Sequence, residues 1–202
     1  VAAPAHARGA GTAPGTGPDL VTVGHGTLVP DRLAGLLGAA GVGSLVDVRS
    51  SPGSRRNPAF GRAELERWLP EHGVAYRWEP RLGGLRPAPP VSPDTALREP
   101  AFRGYAEHMR SAEFGAALGA LMEEVARHRA APAGGMVCVM CAESAWWRCH
   151  RRLLADAVTA VAGGDVGHLM HDGLVVPHSL TGGARLGDDG LLVYDAGAAP
   201  ML

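Results

Sequence analysis

Lysine is absent from this 202-residue chain, and all 19 basic residues are arginine. A net charge of one sign is absent too. Twenty acidic residues leave a formal balance of −1, so the whole molecule does not advertise a polyanionic partner. Arginine offers a planar fork of donors suited to phosphate and carboxylate, so its clusters carry more information than the total. A chain rich in Ala, Gly and Arg without Lys is equally what genomic base composition produces. Cysteine is scarce: Cys138, Cys141 and Cys149 fall within twelve residues. An odd, closely spaced set is not the framework of a secreted disulfide protein. No run approaches the roughly 18 to 20 apolar residues of a membrane-spanning helix. The first residues lack a charged segment followed by an apolar one, so no signal peptide is read there. The expectation is a cytoplasmic protein without a membrane partner.

What is present reads as one α/β domain over residues 19–202, behind a disordered tail over 1–18 that is rich in Ala, Gly, Pro and Thr. Leu20–Val23 and Ser44–Arg49 are apolar runs that read as buried strands, each ending in a loop. Leu33, Leu36 and Leu37 mark a short helix after Asp31, and Leu65, Trp68 and Leu69 mark a second over 62–72. Val74–Trp78 alternates as a third strand. Residues 80–100 hold six prolines and no period, an irregular excursion of unusual length for a compact domain. The longest helical pattern covers 103–129, broken near Ser111, with Phe114, Leu118, Leu121 and Val125 as its core stripe. Met136–Met140 is almost wholly apolar, as a central strand covered on both faces would be. A helix over 148–161, a strand over 166–170 and an edge hairpin in the tail complete the pattern.

Strands alternating with helices predict an α/β fold: a mainly parallel sheet with helices on both faces. In such sheets ligands bind beyond the carboxyl ends of the strands. His25, Asp47, Arg49, Cys141, Glu143 and His168 all lie at or just past a predicted strand end. They are therefore expected to converge on one cavity.

Several motifs share an order and spacing. They are Thr22-Val23-Gly24-His25-Gly26, Leu45-Val46-Asp47-Val48-Arg49 with Pro52, Arg55, Arg56 and Pro58, Leu82-Gly83-Gly84, Phe102-Arg103-Gly104-Tyr105, and Met140-Cys141-Ala142-Glu143 with Arg148-Cys149-His150-Arg151. From about Leu20 to His168 the chain resembles the domain-of-unknown-function 488 family. The resemblance implies a Rossmann-like three-layer sandwich and supplies no reaction. The first loop departs from the family pattern, reading Gly-His-Gly in place of Gly-His-Ser, with Thr27 the nearest hydroxyl.

Two carboxylates are candidates for acid–base chemistry. Glu143 and Asp47 follow or sit within apolar strands, where a carboxylate has a raised pKa or needs a charged partner such as Arg49 or Arg148. For Asp47 a structural ion pair is the competing reading. Arg49, Arg55, Arg56 and Arg62 in one loop, with Arg148, Arg151 and Arg152 in another, would form a basic rim. Trp146 and Trp147 would offer faces for a base, where stacking contributes about 1–3 kcal/mol per base. Solvated arginines and core tryptophans are the alternative. Arg103 and Tyr105 are read as reaching the same cleft. His25, between two glycines, and His150, in a first helical turn, are candidate proton donors to a leaving group; His168 and His171 are weaker ones. Cys141 is read as a small pocket residue and Cys138 as packing.

The expectation that follows is an enzyme acting on a nucleotide or on a modified or damaged base in nucleic acid. N-glycosidic hydrolysis is its most concrete form, with Glu143, Asp47, His25 and His150 catalytic and no cofactor. Two other readings stay open. One is a thiol or metal enzyme using Cys141, Cys149 and His150. The spacing Cys-x7-Cys-His is not that of a structural zinc site, and six residues between Cys141 and Arg148 depart from the anion loops of rhodanese-like sulfurtransferases and cysteine phosphatases. The other is a non-catalytic module that binds a nucleotide or a protein.

Overall fold

The computed structural model describes residues 17–53, 57–132 and 135–195. Six strands form one sheet in the order β3-β2-β4-β1-β5-β6: β1 is Leu20–Gly24, β2 Val42–Asp47, β3 Ala75–Trp78, β4 Met136–Cys141, β5 Val166–Leu169 and β6 Val175–Pro177. The first five are parallel to one another and β6 runs antiparallel at the edge. Helices α1 (Pro30–Ala39) and α2 (Arg62–Glu71) cover one face, and α3 (Pro100–Met109), α4 (Ala112–Ala130) and α5 (Arg151–Ala160) the other. The fold is therefore an α/β three-layer sandwich, as the alternation of patterns predicts.

The helices form where an apolar stripe recurs at helical spacing. On α4, Phe114, Leu118, Leu121 and Val125 are buried, and the Ser111 side chain caps the start by accepting from the Phe114 N–H. Residues 103–129 thus hold two helices, and the first begins earlier than its apolar pattern, because Pro100 serves at a first helical turn. The expected helix over 148–161 starts at Arg151; Trp146–Arg148 is a separate 3-10 turn, followed by an extended Cys149.

Strand parity decides which face each side chain reaches. Val21, Val23, Leu45, Cys138 and Met140 pack with α1 and α2, whereas Leu20, Val46, Val137, Val139 and Cys141 pack with α3–α5. The pairing register sets Gly24 beside Cys141 and Thr22 beside His168. The tail forms β6 on the sheet edge and a separate two-stranded ribbon, β7 (Ala184–Leu186) with β8 (Leu192–Tyr194). The proline-rich excursion is tied to that ribbon. Buried Asp94 takes a bidentate bond from Arg110 and a bond from the Tyr194 N–H.

Candidate functional site

The chain reverses its direction of travel across the sheet after β3, so β4 enters between β2 and β1. The helices leaving β1 and β4 lie on opposite faces, which opens the crevice where ligands bind in such folds. The loops beyond β1 and β4 are locked together there. The His25 and Gly26 N–H groups donate to the Cys141 and Ala142 carbonyls at 3.0 and 2.8 Å, and His171 Nε2 donates to the Gly24 carbonyl at 2.7 Å.

The expected convergence occurs, but the sheet divides it into two clusters. On the α1/α2 side, Asp47 is fully buried and accepts from Arg49 Nε (2.8 Å), Arg49 NH2 (2.5 Å), the Arg49 N–H (3.1 Å) and the Tyr76 hydroxyl (2.9 Å). His25 stacks on Phe60 at 4.4 Å between ring centroids. Its Nδ1 faces the Gly26 carbonyl, which can only accept, so Nδ1 carries the proton and Nε2 accepts from Arg49 NH1 at 3.3 Å. Burial, and then the Arg49 charge, push His25 down to about 4. It is a neutral ring with both nitrogens engaged. Asp47, Arg49 and His25, expected as base, anion receptor and proton donor, are thus bonded to one another in one buried network.

On the α3–α5 side lie Cys141, the last residue of β4, and Cys149 and His150, just before α5. His150 Nδ1 stands 3.8 Å from Cys141 Sγ and 3.6 Å from Cys149 Sγ, and the three atoms all lie within 4.8 Å of one another. Both sulfurs are buried free cysteines. Hydrogen bonding between the two sulfurs is the main influence on both, raising Cys141 and lowering Cys149; burial adds to the rise, and His150 and Arg151 to the fall. Tyr105, wholly buried with its hydroxyl on the Leu82 carbonyl at 3.0 Å, presents its ring to His150 at 5.1 Å. Gly84 packs close against the same ring, and a Cβ there would overlap the imidazole. His150 Nε2 is buried without a hydrogen-bond partner among the described residues.

Arg151 was expected on a basic rim and instead lies beneath the site, 1% exposed. Its NH1 donates to Thr22 Oγ1 at 3.1 Å and its NH2 to the Glu143 carbonyl at 2.5 Å. No carboxylate among the described residues pairs with it. The chain of bonds continues from Thr22 Oγ1 to His168 Nδ1 (2.8 Å), from His168 Nε2 to His178 Nδ1 (3.0 Å) and from His178 Nε2 to Asp156 Oδ1 (2.9 Å). The Tyr194 hydroxyl donates to Asp156 Oδ2 at 2.9 Å. Arg151 donates at one end and Tyr194 at the other, and Thr22 and His168 between them are buried. Burial and the neighbouring His178 accordingly push His168 down to about 2. Sequence reasoning missed Thr22, Asp156, His178 and Tyr194. The one signal was a polar residue at the buried, α5-facing parity of β1 and of β5.

The remaining candidates separate clearly. Glu143 is exposed, and its carboxylate caps its own loop by accepting from the Ala145 N–H at 3.1 Å; the expected apolar setting is absent. Trp146 is stacked on His168 at 3.9 Å, while Trp147 is 37% exposed beside exposed Arg148. Arg152 lies over the Phe102 ring, and Arg62 pairs with Glu66. Arg103 donates to the Leu97 and Arg98 carbonyls, bracing the excursion rather than reaching the cleft. Arg55 and Arg56 lie outside the described residues.

A family model described as Domain of unknown function DUF488 matches residues 30–158, more than half of the chain. The chain belongs to this family. The DUF488 match is shorter than the resemblance read from Leu20 to His168. It takes in Asp47, Gly84, Tyr105 and the segment from Cys141 to Arg151, and leaves out His25, His168, His178 and Tyr194. No curated protein and no solved structure matches the chain. No helix among the described residues is long and apolar enough to cross a membrane.

Proposed function

We propose that the chain is an enzyme whose reaction centre is the sulfur–imidazole cluster Cys141–Cys149–His150, acting on an anionic substrate that enters the crevice beyond β1 and β4. The carrying observation is the meeting of two sulfurs and one imidazole nitrogen within 4.8 Å, supplied by two separate elements. Packing alone has no use for that geometry, whereas sulfur-centred chemistry needs it. Charge supports the choice of substrate. A buried guanidinium that pairs with no carboxylate among the described residues stands beside the cluster, and the exposed Trp147 and Arg148 directly precede Cys149 in the chain. A nucleotide, with phosphate for the arginine and a base for the indole, is the anion this rim suits best.

The test is turnover on a panel of nucleotides, nucleosides and abasic or modified DNA by wild-type protein and three variants. Cys141→Ser and Cys149→Ser are each expected to lose at least about a hundredfold in kcat/KM, while Glu143→Gln keeps most of it. The opposite pattern, with activity lost in Glu143→Gln and kept in both serine variants, would return the chemistry to carboxylate-driven N-glycosidic hydrolysis.

A further inference from the structure

The cluster fits a metal ion more closely than its spacing in the sequence suggests. A tetrahedral ion with metal–sulfur bonds near 2.3 Å and metal–nitrogen bonds near 2.0–2.1 Å holds its sulfur and nitrogen ligands about 3.6 Å apart. The two sulfur–Nδ1 separations are 3.6 and 3.8 Å. The spacing rule that argued against a metal concerns closed structural sites, which take four ligands in two short pairs. A site of three ligands built from a strand end and a helix start has no reason to follow it. Both elements are rigid, and Gly84 and Tyr105 hold the ring by contact.

Arg151 lies beside the site and brings no competing carboxylate among the described residues. Thiolate with imidazole selects soft ions of the zinc class over magnesium or calcium. No fourth His, Cys, Asp or Glu among the described residues joins the group, which is the ligand count of a catalytic centre rather than a structural one.

We propose that the protein binds one zinc-class divalent ion through Cys141 Sγ, Cys149 Sγ and His150 Nδ1, with the fourth position open to water or to an anion. This rests on the reading of the cluster as the reaction centre and names its cofactor. Such an ion would supply a Lewis acid and a water acidified to near neutrality. Two thiolates balance the charge of the ion, so the uncompensated charge of Arg151 remains to attract an anion to the open position.

Co(II) and Zn(II) titrations of the full chain test the proposal. One Co(II) per chain is expected, with a thiolate charge-transfer band and d–d bands that shift when azide is added. Zn(II) affinity should fall at least about a hundredfold in Cys141→Ser and in Cys149→Ser, with a charge-transfer band weakened by about half where Co(II) still binds. Cys138→Ala, on the opposite face of β4, should change neither, and circular dichroism shows whether each variant is folded. Failure of the wild-type protein to take up either ion, or uptake unaltered in both serine variants, overturns the metal site. The enzyme reading then stands if the serine variants still abolish turnover. A Co(II) spectrum indifferent to azide means a closed, structural ion, and overturns the open position.

Discussion

At the scale of the residue, the most consequential pair outside the sulfur cluster is Asp47 with Arg49. Both are buried, and between them they exchange two side-chain bonds and one backbone bond. The Tyr76 hydroxyl, the Phe60 carbonyl and His25 Nε2 complete the set. Removing one partner leaves an uncompensated buried charge, which costs far more than the pair contributes. Asp47→Ala is therefore expected to lose about 3–5 kcal/mol in urea unfolding, and Asp47→Ala with Arg49→Met less than the sum of the two singles. A single-variant loss below about 1 kcal/mol would mean that the network yields to water when cut. Glu143 makes the contrast. Its carboxylate is exposed, so Glu143→Gln should move stability by no more than about 0.5 kcal/mol. The two acids looked alike in the sequence, each at the end of an apolar run. What separates them is that Asp47 sits inside the pleat on the α2 side, whereas Glu143 is two residues past the end of β4.

At the scale of the element, the bond chain from Arg151 to Tyr194 ties α5 to β1, β5 and the far ribbon. Asp156 Oδ1 also accepts from the Thr181 N–H, whereas the Tyr194 hydroxyl is the donor to Oδ2, so cutting the chain at Tyr194 leaves a buried carboxylate oxygen short of its donor. Tyr194→Phe is expected to cost about 1–3 kcal/mol. A His178→Ala variant should couple to it by more than about 0.5 kcal/mol in a double-mutant cycle; additivity of the two would show that the bonds do not act as a unit. The elements themselves were legible, because apolar periodicity names strands and helices that bury one stripe or both faces. The gathering of strand ends was legible too, from the rule for parallel sheets. The division of that gathering into two faces was encoded in odd and even positions along each strand, with Val21 and Val23 on one side and Thr22 on the other, yet it emerges only once register is known. The start of α5 was misread for a similar reason: Cys149 is extended, so that its sulfur turns back towards Cys141 and the helix begins two residues later. His178, Asp156 and Tyr194 left no pattern, since long-range pairing of single polar residues has no period.

At the scale of the whole molecule, the fold holds imidazoles on both faces of the sheet uncharged, and that fixes how it meets acid. His25 lies near 4 and His168 near 2, against an ordinary value of 6.5. The unfolded chain therefore takes up protons that the folded one refuses, and stability falls wherever the unfolded state binds more. Both contributions are complete above pH 6.5. That of His25 drains away as pH falls from 6.5 towards 4, and that of His168 goes on falling below 4. The loss thus begins more than a pH unit above the range in which unperturbed carboxylates protonate, about 4. Urea midpoints measured from pH about 7.5 down to about 4.5 should be level at first and then decline steadily once pH passes about 6.5. Replacing His25 by Gln, which cannot take up a proton, should flatten the upper part of that decline. A midpoint indifferent to pH down to about 5 would show that the rings accept protons in place. The stacks on Phe60 and Trp146 that enclose them would then be looser than the 4.4 and 3.9 Å separations imply.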